Sequence, residues 1–150
     1  MGPLTGDIAD GEIVLLDSVA IIYFLDQSPA YFTAAAEIFA RINAGELTGV
    51  ASMLALTEIL VEPFQAGDAA RARAVSTELR SYPNLSIRKV DAEVAERAAE
   101  LRARLGIRTA DAVHVATGLL EGASWFITND LRLRRVHSEG IQPWFFDEHR

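Results

Sequence analysis

The sequence predicts an α/β fold: a central parallel sheet of about five strands with helices on both faces. Three observations lead there. Short runs that read as strands, such as IVLL and WFIT, alternate with longer segments of helical spacing. Ser, Asp or Thr stands at the start of most of those segments. Glycine stands just past the end of several, at Gly45, Gly106 and Gly122.

The elements follow in order. Ile13 to Leu16 is a first strand, and Ser18 is placed as the cap of a helix reaching about Leu25. Ala30 to Ala44 is alanine-rich and spaced as a helix. Thr48 to Ala51 is a second strand. Ser52 opens a helix expected to stop before Pro63, because proline lacks the N–H that continues a helix. Asp68 caps a helix to about Arg80, ended by the Tyr82-Pro83-Asn84 turn. Leu85 to Arg88 is a third strand. Asp91 caps a helix to Leu105, and Thr109 caps another from Ala110 to about Glu121. Trp125 to Thr128 is a fourth strand, and Pro143 to Phe146 a fifth. Residues 1–12 read as a polar lead-in and residues 13–150 as a single domain.

Composition narrows the function. Half of the 150 residues are hydrophobic, enough for a real core. Cysteine is absent, which excludes disulfides and thiolate metal sites and suits a reducing, cytoplasmic location. No leader of the secretory kind is read at the start, and no apolar run is long enough for a membrane span. The net charge of −7 argues against a passive nucleic-acid coat, though not against an enzyme that handles nucleic acid with clustered acids. Lys89 is the sole lysine, so the other basic residues are arginines, suited to bidentate phosphate contacts.

In open α/β sheets, ligands bind beyond the carboxyl ends of the strands. Asp17 directly follows the first strand, in LLDSVAIIYFLD, and Asp130 follows the fourth, in FITND. Asp111 lies in the first turn of the helix opened near Thr109, and Glu58 lies in an otherwise apolar helix after the second strand. Each has a simpler role open to it. Asp17 could cap its helix, Asp111 could favour the helix dipole, Asp130 could belong to a turn, and Glu58 could be solvated. Read together, one rule gathers several acids at one edge. Four carboxylates in one pocket repel each other, and a divalent cation removes that conflict. An all-oxygen donor set suits Mg²⁺ or Mn²⁺, which can activate water and stabilise a leaving phosphodiester oxygen.

LLDSVAIIYFLD, LTEIL and RTADAVHVATGLLEGASWFITND, in this order and spacing, resemble the PIN-domain nucleases, and among them the VapC-type toxins of toxin–antitoxin pairs. The resemblance spans Ile13 to Phe146. It implies a Rossmann-like α/β/α sandwich and a Mg²⁺- or Mn²⁺-dependent ribonuclease. It implies that Asp17 and Asp111 hold metal most directly, with Glu58 and Asp130 acting more through water. Thr128 would orient water or a carboxylate, with Asn129 and Ser18 as weaker supports. It further implies an RNA substrate, a toxin homodimer and an antitoxin whose tail blocks the site. The lead-in before Ile13 is longer than is usual for a small toxin of this kind.

Several residues have two readings. Arg108, Arg132 and Arg134 could hold an RNA backbone or belong to a solvated, ion-paired surface. Tyr23, Phe24, Tyr31, Phe32 and Phe39 could offer a partner groove or pack the core. His114, one turn beyond Asp111, reads as a packed or hydrogen-bonded helix residue rather than a general base. An aspartate after the first strand also marks haloacid-dehalogenase-type phosphatases, but their second aspartate would stand at Val19. A solitary RNA-processing nuclease or a non-catalytic binding module would share the fold.

Overall fold

The computed structural model describes residues 2–150. Five strands, β1 (Ile13–Leu16), β2 (Thr48–Ser52), β3 (Leu85–Arg88), β4 (Trp125–Thr128) and β5 (Gln142–Phe145), form one sheet in the order β3-β2-β1-β4-β5. All four pairings are parallel. Val14 and Leu16 face a core shared with α1 (Ser18–Leu25), α2 (Phe32–Asn43), α3 (Met53–Gln65) and α4 (Ala69–Arg80). Leu15 and Val50 face the opposite core, shared with α5 (Ala92–Leu105) and α6 (Thr109–Leu120). The alternation of side chains along a strand puts neighbours on opposite faces, so both faces of this sheet need helical cover. The expected three-layer α/β/α sandwich is the observed architecture.

The chain runs outward from β1 through β2 to β3, then returns to the other side of β1 for β4 and β5. The reversal lies between β1 and β4, where diverging connections open a crevice at the carboxyl edge. Register sets what lines it: Leu16 pairs with Ile127 and Thr128 with Phe145. Asp17 N–H continues the ladder to Ile127 O at 3.0 Å. Asp17, Thr128 and Asp130 are therefore neighbours across the reversal point.

Several boundaries differ from expectation, each for a local reason. Asp17, not Ser18, caps α1, and its Oδ1 accepts the Ser18 N–H at 2.8 Å. Helix α2 starts at Phe32 rather than Ala30, because residues before it form a turn closed by Phe32 N–H on Ser28 O at 2.8 Å. Helix α3 runs through Pro63 to Gln65. Proline removes the N–H aimed at Ile59 O, but it sits in the last turn with its ring buried, and Ala66 N–H still reaches Glu62 O at 3.0 Å. Helix α6 is capped by Arg108 without a side-chain bond, and Thr109 is already helical. The 3₁₀ segment Leu131–Glu139 was not anticipated; it buries Leu133 and Val136 beneath an otherwise charged sequence.

Helix α6 lies close on β1 because Gly118 has no side chain. A Cβ there would stand 2.7 Å from Leu15 Cδ2. The lead-in is packed rather than loose. Ile8 and Thr5 are buried, Glu37 accepts from Leu4 N, Thr5 N and Thr5 Oγ1, and Arg41 donates to Thr5 O and Ile8 O. Asp7 accepts from Trp144 Nε1 and contacts His149 Nε2, each at 3.0 Å. His149 also stacks on Trp144. The early aromatics mostly pack against one another: Phe24 stacks on buried Phe39 at 4.1 Å and Tyr23 on Tyr31 at 4.3 Å between ring centroids. Among the described residues, no helix is long and apolar enough to cross a membrane.

Candidate active site

A cleft of about 390 Å³ opens at the β1/β4 reversal, lined by Asp17, Ser18, Tyr23, Glu58, Arg108, Asp111, Asn129 and Asp130 among others. All four acids singled out in the sequence reach it. Strand β1 delivers Asp17, the β4 end delivers Asp130, the first turn of α6 delivers Asp111, and α3 delivers Glu58. Asp17 and Asp111 are the two buried acids, each 9% exposed.

Asp17 is held from two sides. Ser18 N–H donates to Oδ1, and Thr128 Oγ1 donates to Oδ2 at 2.7 Å. Burial nevertheless pushes its carboxyl above the usual aspartate range, against the opposing pull of His114 and these hydrogen bonds. An acid in that condition gains from a nearby cation.

The remaining acids each have a basic side chain beside them. His114 Nε2 lies 2.6 Å from Glu58 Oε1 and 3.9 Å from Asp17 Oδ1. The His114 hydrogen bond holds Glu58 below the usual glutamate range. Burial disfavours the His114 cation, but the Glu58 hydrogen bond and the charges of Asp17, Glu58 and Asp111 outweigh it and raise its pKa. Arg108 Nε donates to Asp111 Oδ2 at 3.0 Å, and its Nη2 lies 3.6 Å from Asp130 Oδ2. Arg132 grips Asp130 in bidentate fashion, through Nε at 3.0 Å and Nη2 at 2.8 Å, and lowers its pKa. The acids thus fall into two pairs: Asp17 and Glu58 around a buried imidazole, Asp111 and Asp130 around an exposed guanidinium.

Asn129 accepts the Asp147 N–H at 2.9 Å and donates to Tyr23 Oη at 3.2 Å, which fixes the turn carrying Asp130. Arg134 points elsewhere, pairing with Glu148 at 2.8 Å and covering the Phe145 ring. His114 is the residue whose place at the site the sequence concealed. Its spacing from Asp111 was visible; its contact with Glu58 depends on how α3 crosses α6.

Four carboxylates and no thiol suit a hard cation such as Mg²⁺ or Mn²⁺, and the buried, destabilised Asp17 carboxylate gives that charge a purpose. Among the described residues, no three His, Cys or acidic side chains are already drawn together as a metal cage. The residues fit such an ion in kind, with arginine contacts on Asp111 and Asp130 that it would compete against.

The fold and cleft define a Rossmann-like α/β/α domain with an acidic site at its topological switch point. Residues 14–138 match the family model of the PIN domain, and the chain belongs to that family. No curated protein matches it. Solved structures similar to it include VapBC2 from Rickettsia felis bound to a promoter DNA fragment, at 18% identity and TM-score 0.66, covering 89% of this chain and 98% of that one. DNA-bound VapBC from Salmonella typhimurium matches at 19% identity and TM-score 0.66, covering 90% and 98%. Mycobacterium tuberculosis VapC20, described as a toxin cleaving the sarcin-ricin loop, matches at 18% identity and TM-score 0.61, covering 77% and 87%. At these identities the likeness is one of fold.

Proposed function

We propose that this chain is a metal-dependent endoribonuclease and the toxin of a VapBC-type toxin–antitoxin pair, working in the cytoplasm. The observation that carries the reading is the meeting of Asp17, Glu58, Asp111 and Asp130 in one cleft of a PIN-family fold. Asp17 and Asp111 would hold Mg²⁺ or Mn²⁺ most directly, with Glu58 and Asp130 completing the set. When bound, the ion would supply Lewis acidity to the phosphodiester and acidify the attacking water. Thr128 holds the Asp17 carboxylate in orientation. Arg108 and Arg132, exposed at the rim, would meet the RNA backbone. The PIN domain proper would be residues 13–150, preceded by the lead-in of residues 1–12, of which Thr5 and Ile8 pack against the domain.

A second groove, of about 310 Å³, runs beside the site between α1, α3 and α4. Ile22, Leu25, Ile59 and Val75 give it an apolar floor, and Asp26, Glu62 and Glu78 an acidic border in which Arg71 already pairs with Glu62. This supports docking of an antitoxin segment that carries apolar and basic side chains. A homodimer is part of the same reading. The test is incubation of the purified chain with structured RNA in EDTA, followed by return of Mg²⁺ or Mn²⁺. Cleavage should appear only after metal return and should stop when the product of an adjacent antitoxin-like gene is added.

A further inference from the structure

Glu58 reaches the cleft by a different route from the other acids. Asp17 and Asp130 extend from strand ends, and Asp111 sits in the first turn of α6, which packs directly on β1. Glu58 comes from α3 on a long side chain that is 37% exposed, free to turn toward water unless something holds it. What holds it is His114, whose Nε2 stands 2.6 Å from Glu58 Oε1. Ser18 also lies near enough to favour the ionised carboxylate.

The imidazole itself is fixed. His114 is 1% exposed, in the stretch of α6 that is buried from Asp111 to Gly118. Its Nδ1 is buried without a hydrogen-bond partner. An unpaired polar nitrogen in a packed interior costs free energy, and an apolar residue would fill this place without that cost. The ring is therefore poorly explained by packing, and its one strong polar contact is with Glu58. The contact needs only the Nε2–H. The Nε2–H neutral tautomer and the imidazolium both offer it to the carboxylate, so the contact holds in either protonation state.

We propose that His114 is a positioning residue, which through its Nε2–H locks the α3 carboxylate of Glu58 on the Asp17 side of the cleft and so completes the cation site. This rests on the metal-dependent nuclease reading. Ligand-orienting hydrogen bonds of this kind are commonly worth about 10- to 100-fold in metal affinity.

The test is Mn²⁺ binding, followed by electron paramagnetic resonance and calorimetry, in the parent chain and in His114→Gln, His114→Asn, His114→Leu and Glu58→Gln. The glutamine amide nitrogen can stand where Nε2 stands; the shorter asparagine amide cannot. The expected result is a parent-like affinity in His114→Gln, within about 3-fold, and a loss of about 10-fold or more in His114→Asn and His114→Leu. His114→Asn added to Glu58→Gln should then cost nothing further. Equal Mn²⁺ affinity in His114→Asn and the parent, or losses that multiply in the double variant, would overturn the proposal while leaving the nuclease reading intact. A parent chain that binds no Mn²⁺ would overturn both. The Gln/Asn contrast decides the matter even if His114→Leu fails to fold.

Discussion

Thr128 Oγ1 donates to Asp17 Oδ2 at 2.7 Å and accepts the Asp130 N–H at 3.3 Å, so one buried hydroxyl ties together acids from two strand ends. Replacing it with the near-isosteric valine removes a bond to a buried carboxylate and leaves the volume unchanged. Thr128→Val should lose about 1.5–3 kcal/mol where the Asp17 carboxyl is ionised, and much less where low pH protonates it. Thr128→Ser should restore most of it. Urea unfolding at two pH values, in EDTA, checks this.

The arginines should separate by position. Arg132 and Arg108 stand at the acidic cleft, whereas Arg134 is engaged by Glu148 and Phe145. Arg132→Ala should weaken RNA binding and reduce the slope of log affinity against log salt by about 0.7, the value for one phosphate contact on a single strand. Arg134→Ala should leave that slope unchanged. Fluorescence anisotropy across a salt series reads both.

The metal-free protein should be most stable on the acid side of neutrality. Glu58 has a lowered folded pKa, so its contribution is present above its ordinary value and lost as pH falls through the folded value. His114 has a raised folded pKa, so its contribution is full below its ordinary value and lost as pH rises through the folded one. Asp17, also raised, adds to the loss on the rising side. For Glu58 and His114 the favourable window therefore lies between the ordinary glutamate and imidazole values of 4.5 and 6.5, while the Asp17 contribution is already falling above its ordinary value of 3.8. His114→Gln should flatten the decline above it, measured by denaturant titration in EDTA.

Gly118 tests the contact between α6 and the sheet. A side chain there meets Leu15 Cδ2 at 2.7 Å and Ile141 Cδ1 at 3.2 Å. Gly118→Val should cost about 1–3 kcal/mol through overpacking. It should also weaken Mn²⁺ binding, because it displaces the helix that carries Asp111 and His114. Thermal unfolding and metal titration of the same sample distinguish the two effects.

Strands and helices were legible in the sequence where the physics is local. An apolar run ending in Asp17 fixes the strand end and the acid together, and FITND does the same for Asp130. What escaped depended on tertiary context. Pro63 reads as a stop, yet in a final turn with its ring buried it forfeits only one bond. Leu131–Glu139 carries too much charge to show helical periodicity, so its two buried residues went unseen. Arg134 and Arg132 look equivalent in LRLRR, and only the 3₁₀ turn sends them to different acids. His114 and Glu58 are separated by 56 positions, and nothing local marks one for the other.

The most direct measurement is single-turnover cleavage of structured RNA by the parent chain and Asp17→Asn, purified in parallel, in Mg²⁺, Mn²⁺ and EDTA. Cleavage by the parent in either metal, abolished in EDTA and reduced at least about 100-fold by the substitution, is expected if Asp17 anchors the charge that stabilises the transition state. Equal cleavage by both proteins, or cleavage indifferent to EDTA, would refute a metal-dependent nuclease centred on Asp17.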